Sequence, residues 1–209
     1  MLEYRIQNNG NSDNKRPAVF LIHGYGSNAD DLFSFASYLP KNYTIIALQA
    51  PLSLGDKSFA WYPLSINTNG EIRSENDTAW TAVDLIIKNI DGLIKKYALN
   101  LNDISLLGFS QGAILSWALG FRFPDKIRRI IALSGFIHES INADKEPEFI
   151  AYAAHGTNDE VIPVLKARES ILPLSKKYSE IQYHEYPDGH TISEENFTNL
   201  IKWLNKTNL

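Results

Sequence analysis

The sequence predicts an α/β fold, a mostly parallel central sheet flanked by helices. Short apolar runs of strand length alternate with longer stretches of helical spacing over most of the chain, the pattern of strands joined by crossover helices. The clearest of these runs are continuous rather than alternating, as strands buried on both faces require. One run passes through Gly-x-Ser-x-Gly directly into a helical stretch.

Leu2–Gln7 alternates weakly and reads as an edge strand, and Asn8–Lys15 as a polar turn segment. Ala18–Ile22 is a fully apolar run ending in His23-Gly24-Tyr25-Gly26-Ser27-Asn28. A helix is expected over Ala29–Leu39, capped by Asn28 or Ser27. Tyr43–Leu48 is a second strand, stopped by Ala50-Pro51, and Ala50–Asn76 reads as irregular. Asp77–Tyr97 gives the clearest helix, with Trp80, Val83, Ile86, Ile87, Ile90, Leu93, Ile94 and Tyr97 along one face. Ile104–Phe109 and Gln111–Arg122 are the strand and helix around the serine. Strands follow at Ile130–Leu133, Phe149–His155 and Ile181–Tyr186. One helix is expected over Pro163–Tyr178 and another to Leu204, capped by Thr191 or Ser193. No repeat or linker divides the chain, so residues 1–209 are expected to form one domain.

The charged fraction of 21% and hydrophobic fraction of 44% are ordinary for a globular protein, and the net charge of −4 leaves no basic footprint for nucleic acid. The same charge gives no pull toward anionic lipid, so stable membrane anchoring is not expected. With no cysteine, thiol catalysis, disulfides and Cys-ligated metal sites are excluded. The N-terminus lacks the apolar core of a signal peptide and no run reaches membrane-spanning length, which points to the cytoplasm. A homodimer is left open.

The chemistry centres on Gly108-Phe109-Ser110-Gln111-Gly112. A serine hydroxyl is a weak nucleophile that must be aimed and given a base. A sharp strand-to-helix turn aims it, and glycines at 108 and 112 leave room for strand and helix to approach. The same turn sets the Gln111 backbone N–H at a helix N-terminus, where it can stabilise a developing oxyanion. Ligands of such sheets bind at the carboxyl ends of the strands. His23–Gly26, Asp159 and His190 all follow strands, so nucleophile, acid and base run in the order Ser, Asp, His.

These motifs resemble the phospholipase/carboxylesterase branch of the α/β-hydrolases, which includes carboxylesterases, lysophospholipases and acyl-protein thioesterases. The resemblance rests on Leu21-Ile22-His23-Gly24-Tyr25-Gly26, the Phe-Ser-Gln filling of the serine motif, His155-Gly156-Thr157-x-Asp159-x-Val161-x-Pro163 and Gly189-His190. Ala113 stands where many members carry glycine and Glu160 where many carry proline. The resemblance implies an α/β-hydrolase fold in which Ser110 attacks, His190 takes its proton and Asp159 orients the imidazole. It further implies an oxyanion hole from the backbone N–H groups of Tyr25 and Gln111, with no metal and no cofactor.

Blander readings stand beside these. Ser110 could be a small residue at a helix start, and Glu160, Asp144 or Asp188 could be the acid. His155 and His23 read as structural, while His138 and His184 lack a motif. Only residues 134–148 precede the strand at Phe149, too few for a cap domain. Trp61 and Tyr62, with Phe136, are therefore expected either to wall the acyl side of an open site or simply to cover the core. The expected activity is hydrolysis of short-to-medium acyl esters, on a small-molecule ester or thioester. The alternatives are long-chain lysophospholipase or acyl-protein thioesterase action, and a non-catalytic binding protein that keeps the fold.

Overall fold

A computed structural model describes residues 1–8, 15–66, 72–74 and 76–207. In chain order its elements are β1 Tyr4–Gln7, β2 Ala18–Ile22, α1 Ala29–Phe33, β3 Thr44–Leu48, β4 Leu52–Gly55, β5 Ser58–Ala60, β6 Leu64–Ile66 and β7 Ile72–Ser74. There follow α2 Asn76–Tyr97, β8 Ile104–Phe109, α3 Gln111–Arg122, β9 Arg129–Leu133, β10 Ile150–Gly156, α4 Val164–Ser170, α5 Leu172–Lys177, β11 Ile181–Tyr186 and α6 Glu194–Lys206. Among the described residues seven strands make one sheet in the order β1-β3-β2-β8-β9-β10-β11. Only β1 runs antiparallel, against β3. This is the mostly parallel sheet that the continuous apolar runs imply.

The period of two along a strand explains how one run serves two cores. In β2 the residues Ala18, Phe20 and Ile22 belong to one buried cluster, and Val19 and Leu21 to the other. The first cluster takes Val83, Ile86 and Ile90 of α2 and Leu115, Trp117 and Leu119 of α3. The second takes Ala29 and Leu32 of α1 and Leu200, Trp203 and Leu204 of α6. Helices thus cover both faces, and the strands' carboxyl ends are left to the loops.

Three expectations are corrected. The helix foreseen over Ala29–Leu39 stops at Phe33 and gives way to a 3-10 turn at Ala36–Tyr38. Pro40 disfavours helical backbone at Leu39, and Phe35 turns away to pack on Phe197 of α6, with ring centroids 5.0 Å apart. The helix foreseen over Pro163–Tyr178 is cut at Ile171 into α4 and α5. Pro173 offers no N–H, and its ring would strike the carbonyl four residues earlier. The segment read as irregular, Ala50–Asn76, instead holds two hairpins, β4–β5 and β6–β7. Asp56 and Lys57 turn the first with φ values of 32° and 59°, the left-handed pair of a tight hairpin. The polar turn expected over Asn8–Lys15 lies, apart from its two end residues, outside the described residues.

At the sheet's amino end a charge cluster is buried. Arg129, fully inaccessible, pairs with Asp103 and bonds the Ser105 hydroxyl (3.2 Å) and Thr207 Oγ1 (3.1 Å). Arg128 donates to the Thr207 carbonyl at 2.8 Å. The two arginines thus hold the C-terminal end of α6, where helix carbonyls have no intrahelical partner.

Candidate active site

Ser110 joins β8 to α3 with φ 54° and ψ −116°, a backbone conformation that costs an L-residue free energy and must be held by its surroundings. The restraint is close packing. A Cβ on Gly112 would collide with the carbonyl of Ile22, and one on Gly108 with the carbonyl of Gly112. Ser110 stands at the N-cap position, but its hydroxyl makes no capping bond and so remains available.

The loop after β2 presses against this turn. A Cβ on Gly24 would lie 3.2 Å from the Ser110 Cβ. The β4–β5 hairpin pins the loop: Gly26 N–H donates to the Phe59 carbonyl (2.8 Å) and Phe59 N–H to that of Ser27 (2.9 Å). The N–H groups of Tyr25 and Gln111 find no acceptor among the described residues. His23 is buried beneath the loop, where desolvation holds its imidazole below the usual histidine range. Its Nε2 accepts from the Ala50 N–H (3.1 Å), which puts the proton on Nδ1, facing the Gly24 carbonyl at 2.8 Å. That is a brace, not a base.

Asp159 and His190 come from the loops after β10 and β11. These loops interlock, because Gly156 leaves no room for a Cβ against Gly189, and Asn158 N–H donates to the Asp188 carbonyl at 2.9 Å. Asp159 is 6% exposed and its Oδ1 accepts from the N–H groups of Val161 (2.9 Å) and Ile162 (2.8 Å). Its Oδ2 meets His190 Nδ1 at 2.7 Å. The His190 ring lies against Phe109, next to the serine, with centroids 4.9 Å apart. Of the rival carboxylates, Glu160 and Asp144 are exposed to solvent, and Asp188 contributes its backbone carbonyl to the loop contact.

The aromatic residues divide. Trp61 is 2% exposed, donates its indole N–H to the His23 carbonyl (2.8 Å) and packs on the His23 ring. It underlies the loop after β2 and does not border the cavity that Tyr62 lines. That cavity, a narrow cleft partly open to solvent, runs between α2 and α3, bordered by Tyr62, Trp80, Val83, Ile114, Ala118 and Ile141. Phe136 is half-buried outside it, with Lys166 Nζ 5.0 Å from its ring centre. Sequence reasoning missed Trp80, Ile114 and Ile141, although Ile114 is four residues after Ser110 and so on the same helix face. It also missed the Gln111 side chain, which accepts from the Trp61 N–H and donates to the Tyr62 carbonyl, both at 2.9 Å. Among the described residues no group of three His, Cys, Asp or Glu is placed to hold a metal ion.

A serine on a strained strand-to-helix turn, with an Asp–His pair on later strand ends of a mostly parallel sheet, is the layout of an α/β-hydrolase. The model of the Phospholipase/Carboxylesterase family matches residues 5–208, and the chain belongs to that family. Acyl-protein thioesterase 1 of Candida albicans is 27% identical over 96% of this chain and 95% of its own. Acyl-protein thioesterase 1 of Yarrowia lipolytica is also 27% identical, over 76% of this chain and 74% of its own. Among solved structures, esterase PE8 superposes with a TM-score of 0.84 at 26% identity, covering 98% of both chains. The carboxylesterase of Mesorhizobium loti, at 22% identity and a TM-score of 0.79 over 97% of this chain and 93% of its own, shares the fold. The protein is a serine hydrolase of the carboxylic ester type.

Proposed function

We propose a single-domain, cytoplasmic carboxylesterase that cleaves short-to-medium acyl esters through an acyl-Ser110 intermediate. The observation that carries this reading is the 2.7 Å bond between His190 Nδ1 and Asp159 Oδ2, made beside a strained serine with an uncommitted hydroxyl. Ser110 Oγ attacks the acyl carbon while its proton passes to His190 Nε2. Asp159 holds the other ring nitrogen protonated and stabilises the imidazolium. The carbonyl oxygen takes up negative charge towards the N–H groups of Tyr25 and Gln111. Collapse expels the alcohol, protonated by His190. Water then repeats the sequence on the acyl-enzyme and releases the acid.

The acyl chain runs into the groove between α2 and α3. Ile114 and Ala118 stand four and eight residues along α3 from Ser110, about 6 and 12 Å at ~1.5 Å per residue. Each methylene buried there contributes about 0.8 kcal/mol, and gains stop where the groove ends. Efficiency therefore climbs across short chains and levels at medium length. The names of the thioesterase relatives favour a second reading, hydrolysis of long-chain thioesters by the same residues.

Labelling with a fluorophosphonate probe, followed by kcat/KM on ester and thioester series from C2 to C16, tests both. Expected are Ser110-dependent labelling and a plateau at medium length, with Ile114→Ala flattening the climb. A steady rise to C16 on thioesters selects the second reading. No labelling of Ser110 refutes both.

A further inference from the structure

Two histidines, not one, meet the Asp159 carboxylate. The second, His155, ends β10 with its side chain wholly inaccessible, and its Nε2 lies 3.2 Å from the same Oδ2 that His190 uses. The rest of its surroundings are one-sided. Nε2 also lies 2.8 Å from the Ile162 carbonyl oxygen, and Nδ1 lies 3.2 Å from that of Gly135. Every partner is an acceptor. A neutral imidazole has one N–H and one bare lone pair. In either tautomer the bare nitrogen would face an oxygen in a dry site, and an unmet buried acceptor is costly. Only the form protonated on both nitrogens fills every contact.

We propose that His155 is a buried imidazolium that shares Asp159 with His190, and that it is a positioning residue for the base. The other charged groups around it are balanced. Glu185 stands beside it in the neighbouring strand β11, and its carboxylate is held in a two-pronged ion pair by Arg168 of α4, with Tyr183 donating to the same group. Lys166 stands off over the Phe136 ring, next to Gly135. Asp159 is thus the anion left to balance His155.

The effect on His190 has a definite sign. This part of the inference rests on the catalytic reading above. A fixed positive charge on the shared carboxylate opposes a second positive charge on the ring that shares it. His155→Gln removes the charge but keeps an N–H donor for the Ile162 carbonyl. The acid limb of kcat/KM is expected to move about one unit to higher pH. The plateau should fall less than about tenfold, since nucleophile, base and acid all remain. A purely packing role would lower the plateau and leave the limb where it was.

The direct test is ¹⁵N NMR of the histidine rings in the full-length wild-type protein, with His155→Gln identifying the resonances. Two protonated ring nitrogens on His155 between pH 6 and 8 are expected. A single ring N–H in the wild type, or an acid limb unmoved in His155→Gln, overturns the proposal. The NMR measurement needs no turnover. Failure of Ser110 to react with fluorophosphonate would refute the catalytic reading while leaving the charge state of His155 to be judged separately.

Discussion

The two ends of this sheet each bury a carboxylate against two basic side chains, in different settings. At the amino end Asp103 faces two guanidiniums, charged at every working pH and tied by further bonds to Ser105 and to Thr207. At the carboxyl end Asp159 faces two imidazoles, the residue type whose charge changes near neutrality. The first cluster has nothing left to exchange and serves to anchor α6. The second lies beside a serine whose backbone is held at φ 54° and whose hydroxyl is uncommitted. Two permanent cations make a fastener of a carboxylate, whereas an imidazole next to a serine turn leaves it free to serve a proton transfer.

The contrast is broken most severely at the carboxyl end. Ser110→Ala should lower kcat by about 10⁶, with roughly 10³–10⁴-fold catalysis over water remaining. Its melting temperature should stay within a few degrees of the wild type. Half of wild-type turnover in steady-state assays would remove Ser110 from the mechanism. Asp159→Asn should cost on the order of 10⁴ in kcat by misorienting the imidazole. Glu160→Gln, at an exposed neighbour, should cost less than about threefold; equal losses would mean the wrong carboxylate had been assigned.

The amino end should respond in stability instead. Arg129→Met leaves Asp103 buried beside Arg128 alone and should cost about 3–5 kcal/mol in urea unfolding. Activity per folded molecule should be unchanged, because the change lies at the far end of the strands. A drop in kcat comparable to that of Asp159→Asn would show that the two clusters are coupled.

The smallest effect separates a working histidine from an idle one. His184, stacked on Tyr152 at 4.8 Å, has a buried Nε2 without a partner among the described residues, and burial holds its imidazole below the usual histidine range. The unfolded chain takes up a proton near pH 6.5 that the folded chain refuses. This stability is therefore fully present above about pH 6.5 and is lost as pH falls toward the lowered folded value. His23 acts in the same direction. His184→Phe should add about 1 kcal/mol by removing the unmet nitrogen. Melting curves from pH 7.5 to 5 should fall less steeply in the variant, and a steeper fall would reverse the sign of the argument.

Much of this was legible in the sequence because the signals were local. Ala18–Ile22 and Ile104–Phe109 read as strands buried on both faces since every residue in them is apolar, apart from Ser105 and Gly108. The serine turn was legible because Gly108 and Gly112 stand where strand and helix leave no room. What escaped depends on partners distant in the chain. The role of Trp61 turns on His23, and that of the Gln111 side chain on Trp61 and Tyr62. The groove between α2 and α3 needs those two helices to pack together, which no single segment announces. The break at Ile171 was local and visible, since Pro173 stood inside the expected helix.

The position of β2 has a consequence during synthesis. It pairs with β3 on one side and with β8 on the other, in register from Ala18 with Ile104 to Ile22 with Gly108. A ribosome adding roughly 5–20 residues per second needs on the order of ten seconds to bridge that interval. Until then the five apolar residues of β2 present an open hydrogen-bonding edge, the kind of template on which nascent chains pair with one another. Emergence of β8 ends that exposure. The segment that leads into Ser110 is also the one that covers the open edge of β2.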